Sequence, residues 1–190
     1  MNDIPFVTIL FIFILCIIQL YKSKLKTDYC NFSDEIEFAN IRIKKYFTTH
    51  LIHAGSVFGH FLPNILLTLI LGTMLENIVG SVRLFLYIIV SIFVYWPFIY
   101  YFIRTYREGC GFSSIYFSFV SIYFSIFALF ENDFLFRIIF TFMPFMFLFL
   151  INYVGENIAK IRKSSSNIHI LSIVYGYLVG IVETIIYYSK

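Results

Sequence analysis

Six runs of roughly twenty apolar residues follow one another along the chain, near 5–21, 60–78, 82–103, 111–130, 134–154 and 168–188. A hydrocarbon core about 30 Å thick asks for helices of that length. Inside it every backbone N–H and C=O must be satisfied within the protein, which leaves helices as the stable form for such runs. Composition points the same way. Hydrophobic residues make up 60% of the 190 and charged residues only 13%, against about 25% charged in an ordinary soluble domain. The expected fold class is all-α: a polytopic membrane protein of six transmembrane helices, forming one domain over residues 1–190. The first run resembles a signal peptide in length, but no basic residues precede it and no small-x-small cleavage site follows, so it is read as a span.

Several function classes drop out early. No basic run is interleaved with exposed aromatics, so nucleic acid is not an expected partner. Cys16, Cys30 and Cys110 lack the paired spacing of a disulfide framework or a zinc knuckle. His50 and His53 invite a metal reading with His60, but no carboxylate or Cys completes the set. No metal and no cofactor are expected. Cys110 reads as incidental.

Polar residues in a membrane span are costly and tend to mark function. Here they gather at the starts of three spans. His60 and Asn64, four apart, share a face at the start of the second span. Gly111-Phe112-Ser113-Ser114 opens the fourth. His169, Ser172, Gly176 and Gly180 form a stripe along the sixth. Spans two, four and six run in the same direction, so His60, Ser113 and His169 fall at similar depth near one membrane face. The small-xxx-small stripe Ser172/Gly176/Gly180 allows a close neighbour. Span four offers Ser114, Ser118, Ser121 and Ser125. Packing those two spans together would bring His169 to Ser113, a nucleophile beside its general base. His60, Asn64 and the Ser113 backbone N–H at a helix start would then supply an oxyanion hole. No acidic residue lies near His169 in sequence, so a dyad is expected. Blander readings exist for each residue alone. Ser113 would serve as a helix cap, His169 as a packed histidine, and His60 with Asn64 as interhelical bonding.

Taken in this order, His60-x3-Asn64, Gly111-Phe-Ser113-Ser114, and His169 with its glycine ladder, the chain resembles the rhomboid intramembrane serine proteases of the compact six-span prokaryotic type. Gly72-x3-Glu76-x3-Gly80 resembles a further family motif. "KKYFTTHLIH" resembles the aromatic motif of the family's first loop, with Lys45 where Arg is usual. The resemblance covers roughly residues 42–182. It implies a Ser113–His169 dyad with an oxyanion site of His60, Asn64 and Ser113, acting on the transmembrane segments of protein substrates in the lipid bilayer. It further implies a hydrated cavity opening to the extracytoplasmic side of the cell membrane, with span five as gate and the loop Gly155–Asn167 as cap.

Three departures are visible. Ser114 stands where the family has Gly, Phe117 stands where it often has a Tyr stacked on the catalytic histidine, and the spacing from His53 to His60 is longer than usual. A catalytically impaired relative that binds transmembrane clients is the alternative that Ser114 raises. A small transporter using buried His and Asn is a third reading, although no repeat or broken helix supports it. Charge and resemblance also disagree on orientation. Eleven of the 14 Lys and Arg lie on the side of the first, third and fifth loops. That alone would put the loops inside, whereas the resemblance puts them outside. The resemblance is followed, because the geometry of the site depends on it.

Overall fold

A computed structural model describes residues 4–25, 61–106, 113–157 and 166–189. Among these there are six helices and no strands: α1 (Phe6–Leu25), α2 (Leu62–Val79), α3 (Ser81–Tyr106), α4 (Ser113–Phe130), α5 (Phe134–Asn157) and α6 (Ser166–Tyr188). Each expected span corresponds to one helix, with ends moved by a few residues. Three helices hold stretches long and apolar enough to cross a bilayer: Leu62–Val79, Ser113–Phe130 and His169–Tyr188. The described apolar stretches of the others, Phe6–Leu20, Ser81–Val94 and Phe134–Leu150, are shorter. His50, His53, His60, Lys45, Cys30, Cys110, Gly111 and Phe112 lie outside the described residues, as does most of the loop assigned as a cap.

Helix α4 is the axle of the bundle. Twelve of its 18 residues are buried, and it packs most extensively on α6, then on α5 and α2. A helix enclosed on most sides must be apolar nearly all round, and α4 is so except for its serines. Those serines are small, and each hydroxyl is satisfied. Ser118 Oγ donates to the Ser114 carbonyl at 2.9 Å and Ser125 Oγ to the Ile122 carbonyl at 2.9 Å. Ser121 Oγ crosses to the Ile173 carbonyl of α6 at 2.6 Å. Opposite them lie the glycines. A Cβ at Gly176 would sit 2.5 Å from Ser121 Cβ and 2.7 Å from the Ser118 carbonyl oxygen, and one at Gly180 would sit 1.7 Å from Ser125 Oγ. The two backbones therefore approach as closely as the missing side chains allow.

The hairpin between α2 and α3 is tighter than its sequence suggests, for Gly80 alone joins them. Its φ of 84° and ψ of 155° fall in a region essentially restricted to glycine. Its N–H donates to the Glu76 carbonyl at 2.8 Å, while its own carbonyl accepts from Leu84 N–H at 3.0 Å. Glu76 is thus helical and its carboxylate reaches beyond the hairpin to another helix. Pro5 precedes α1 and offers no side-chain cap, which leaves early N–H groups without intrahelical acceptors. Glu76 accepts from the Val7 and Thr8 N–H groups, both at 2.8 Å, from Thr8 Oγ1 at 2.7 Å and from Ser81 Oγ at 2.6 Å. An anion at a helix N-terminus also faces the positive end of the helix dipole. One carboxylate ties three helices together. Glu76→Gln, which puts an amide donor against those donors, is expected to cost about 2–4 kcal/mol of stability. A lowered thermal midpoint in detergent micelles would show it, and an unchanged midpoint would contradict it.

A second polar link joins α3 to α6 at the same end of the bundle. Arg83 Nη1 donates to Glu183 Oε2 at 2.6 Å and its Nε to the Val79 carbonyl at 2.5 Å. Tyr87 also donates to Glu183, and Tyr175 Oη donates to the Tyr87 carbonyl at 2.9 Å. Arg83 lies in the first turn of α3, and its charge is paired here with Glu183. The turn before α5 is conventional. Asp133 caps that helix by accepting from the Leu135 and Phe136 N–H groups at 2.8 and 3.1 Å.

Candidate active site

The first turns of α4 and α6 meet at the end of the bundle opposite Glu76 and Glu183, and α2, packed on α4, begins at the same end. Two sequence choices bring α4 and α6 into register there. The Ser118/Ser121/Ser125 row fits against Gly176 and Gly180, and the Ser121-to-Ile173 bond fixes their relative height. Ser113 is the first residue of α4 and His169 stands in the first turn of α6. The result is a separation of 2.9 Å between Ser113 Oγ and His169 Nε2, within hydrogen-bond reach. The imidazole is 6% exposed and the serine is half-buried. Glu183, the acidic residue of α6, is 14 positions beyond His169, about 21 Å along the helix.

Asn64 lies in the first turn of α2 at the same end and is buried. The chain enters α2 through Pro63, which is compatible with a first helical turn, where its missing N–H has no acceptor to lose. The start of α4 contributes the Ser113 N–H, one of the groups that a helix leaves without an internal acceptor. His60, the other expected donor, lies outside the described residues.

A sequence model of the Rhomboid domain matches residues 41–189, most of the chain. The chain belongs to the rhomboid family. Rhomboid proteins are in general serine proteases that act on transmembrane substrates within the bilayer. Together with the apolar helices, the match makes the chain an integral membrane protein. No curated protein and no solved structure matches it.

Two of this rhomboid's departures are resolved in the fold. Phe117 packs on the His169 ring, with centroids 4.4 Å apart and planes tilted by 37°. The face of the imidazole is therefore covered, by a ring without a hydroxyl. Ser114 is 2% exposed and its carbonyl accepts from Ser118 Oγ, so the extra side chain is housed inside the helix packing. The sequence reading missed the Arg83–Glu183 pair. Its signal was present: an acidic residue within a transmembrane helix marks a place where a partner is required. That pair lies at the far end from Ser113 and belongs to the scaffold. Among the described residues no group of His, Cys, Asp and Glu could hold a metal ion.

Proposed function

We propose that this rhomboid is an active intramembrane serine endopeptidase in which Ser113 is the nucleophile and His169 the general base. The observation that carries the reading is the 2.9 Å separation of Ser113 Oγ and His169 Nε2. For attack, Nε2 must be the bare nitrogen, with the ring hydrogen on Nδ1. Ser113 Oγ then adds to the scissile carbonyl of a transmembrane segment while Nε2 takes its proton. The negative charge moves to the carbonyl oxygen, where the Ser113 N–H, the Asn64 amide and the His60 ring donate to it. As the C–N bond breaks, His169 returns the proton to the leaving amine. Water, activated by the same ring, then hydrolyses the acyl-enzyme and restores Ser113.

The site is proposed to open to the extracytoplasmic side of the cell membrane, which puts the α1 N-terminus and the Glu76 and Glu183 links on the cytoplasmic side. A fluorophosphonate probe tests the chemistry directly, because it phosphonylates a serine only where a base activates it. The detergent-solubilised chain should be labelled, and Ser113→Ala should remove the label. Labelling that persists in Ser113→Ala would refute the assignment. A chain that is folded yet unlabelled would favour the impaired, client-binding alternative that Ser114 raises.

A further inference from the structure

We propose that Phe147 of α5 is a positioning residue for His169, acting through Phe117; the inference rests on the reading of Ser113 and His169 as the reacting pair. Three rings from three helices are linked through Phe117. The imidazole on α6 lies 4.4 Å from the Phe117 ring on α4. The Phe147 ring on α5 meets Phe117 edge to face, with centroids 5.9 Å apart and planes at 64°. Tyr116, its ring centroid 4.6 Å away, stacks against Phe117 as well. Phe117 is completely buried. In an interior packed as densely as an organic crystal, such a ring stays in place only while its neighbours do.

The way α5 joins the bundle makes this contact consequential. The buried side chains form two apolar clusters. The larger contains no described side chain of α5. The smaller consists of Tyr116, Phe117, Val120, Leu148 and Ile173, with Phe147 packed against it. Helix α5 therefore reaches the buried interior through the cluster that supports the histidine. Pro144, three residues before Phe147, stands inside α5. It cannot donate to the Phe140 carbonyl, so the ladder is weakest just where α5 approaches the site. The terminal torsion of a histidine has a broad, shallow profile, and its neighbours set where Nε2 points. Without the Phe147 ring, Phe117 gains room to shift or tilt from its place against His169. The imidazole then loses the face that holds Nε2 toward Ser113 Oγ. A displacement of α5 would reach the base by the same route.

The test is the rate at which a small fluorophosphonate labels the full-length chain in detergent micelles, a probe that needs the base but needs no transmembrane helix to enter. Phe147→Ala is expected to lower the maximal labelling rate about tenfold, a barrier change of about 1.4 kcal/mol. The probe concentration giving half that rate should stay unchanged. Phe147→Tyr, which keeps the ring, should label like the wild type. So should Phe149→Ala, whose side chain is 73% exposed and faces lipid. If Phe147→Ala does not fold, Phe147→Leu keeps most of the volume without the ring edge and should show the same fall. A folded Phe147→Ala or Phe147→Leu that labels at the wild-type rate overturns the inference alone, as does an equal fall in Phe149→Ala. Absence of Ser113-dependent labelling in the wild type overturns the reading of the site, and this inference with it.

Discussion

Gly176→Val is expected to abolish Ser113-dependent labelling and to lower the thermal midpoint, although residue 176 lies in the helical turn of neither Ser113 nor His169. The first atom of the new side chain would fall 2.5 Å from Ser121 Cβ and 2.7 Å from the Ser118 carbonyl oxygen. Rotation could move only the Ser121 hydroxyl; its Cβ and the Ser118 carbonyl are both fixed by the backbone, so α4 and α6 must move apart. Overpacking of this kind costs about 1–3 kcal/mol in a well-packed interior, and here it also stretches the Ser121-to-Ile173 bond. A separation of 1 Å between the helices would carry the 2.9 Å contact of Ser113 and His169 beyond hydrogen-bond reach. Leu178→Val is the control, because Leu178 faces lipid. It is expected to keep both midpoint and labelling. Full labelling of Gly176→Val at an unchanged midpoint would mean that the α4–α6 contact does not govern the site.

The second large effect belongs to the proposed pair, Ser113 and His169. Ser113→Ala and His169→Ala should each reduce cleavage of a reconstituted transmembrane substrate by about 10⁴-fold or more, by the behaviour of serine–histidine systems in general. The double variant should be scarcely slower than either single one, because a base without its nucleophile has nothing to activate. Both singles should remain folded, since each removes a side chain at the end of the bundle without inserting bulk. Effects that multiply in the double variant would mean that the two residues act independently. Residual cleavage within tenfold of wild type in either single variant would remove that residue from the chemistry.

The elements were legible in the sequence to different degrees, for physical reasons. Helix existence was plain, because lipid allows so few alternatives for apolar runs. The ends were less plain. The loop expected over Gly155–Asn167 is shorter at both ends, for 155–157 and 166–167 are helical, since polar residues at a membrane surface can continue a helix as readily as leave it. The expected spans leave residues 79–81 as the hairpin after α2, and it is Gly80 alone, because a single glycine with a positive φ can do the work of a loop. Glu76 stands out in the sequence only as part of the Gly72-x3-Glu76-x3-Gly80 motif. It holds the start of α1, more than 65 residues away, a contact that no local pattern reveals. Glu183 was passed over, because its partner on α3 is 100 residues distant.

What the sequence determined by itself is the solvent and the candidates. Apolar runs of membrane length require helices in lipid, and the order His60, Asn64, Ser113, His169 with its small-residue stripe resembles a rhomboid. Tertiary structure decided the distances. A hydroxyl and an imidazole 56 positions apart react only if they meet, and their meeting depends on how closely two backbones pack. That closeness is set by the pairing of Gly176 and Gly180 with a row of serines, and the ring orientation by Phe117. Periodicity can show that a helix has a small face. Only the assembled bundle shows which neighbour lies against it, because packing is a property of two surfaces and a sequence displays them one at a time.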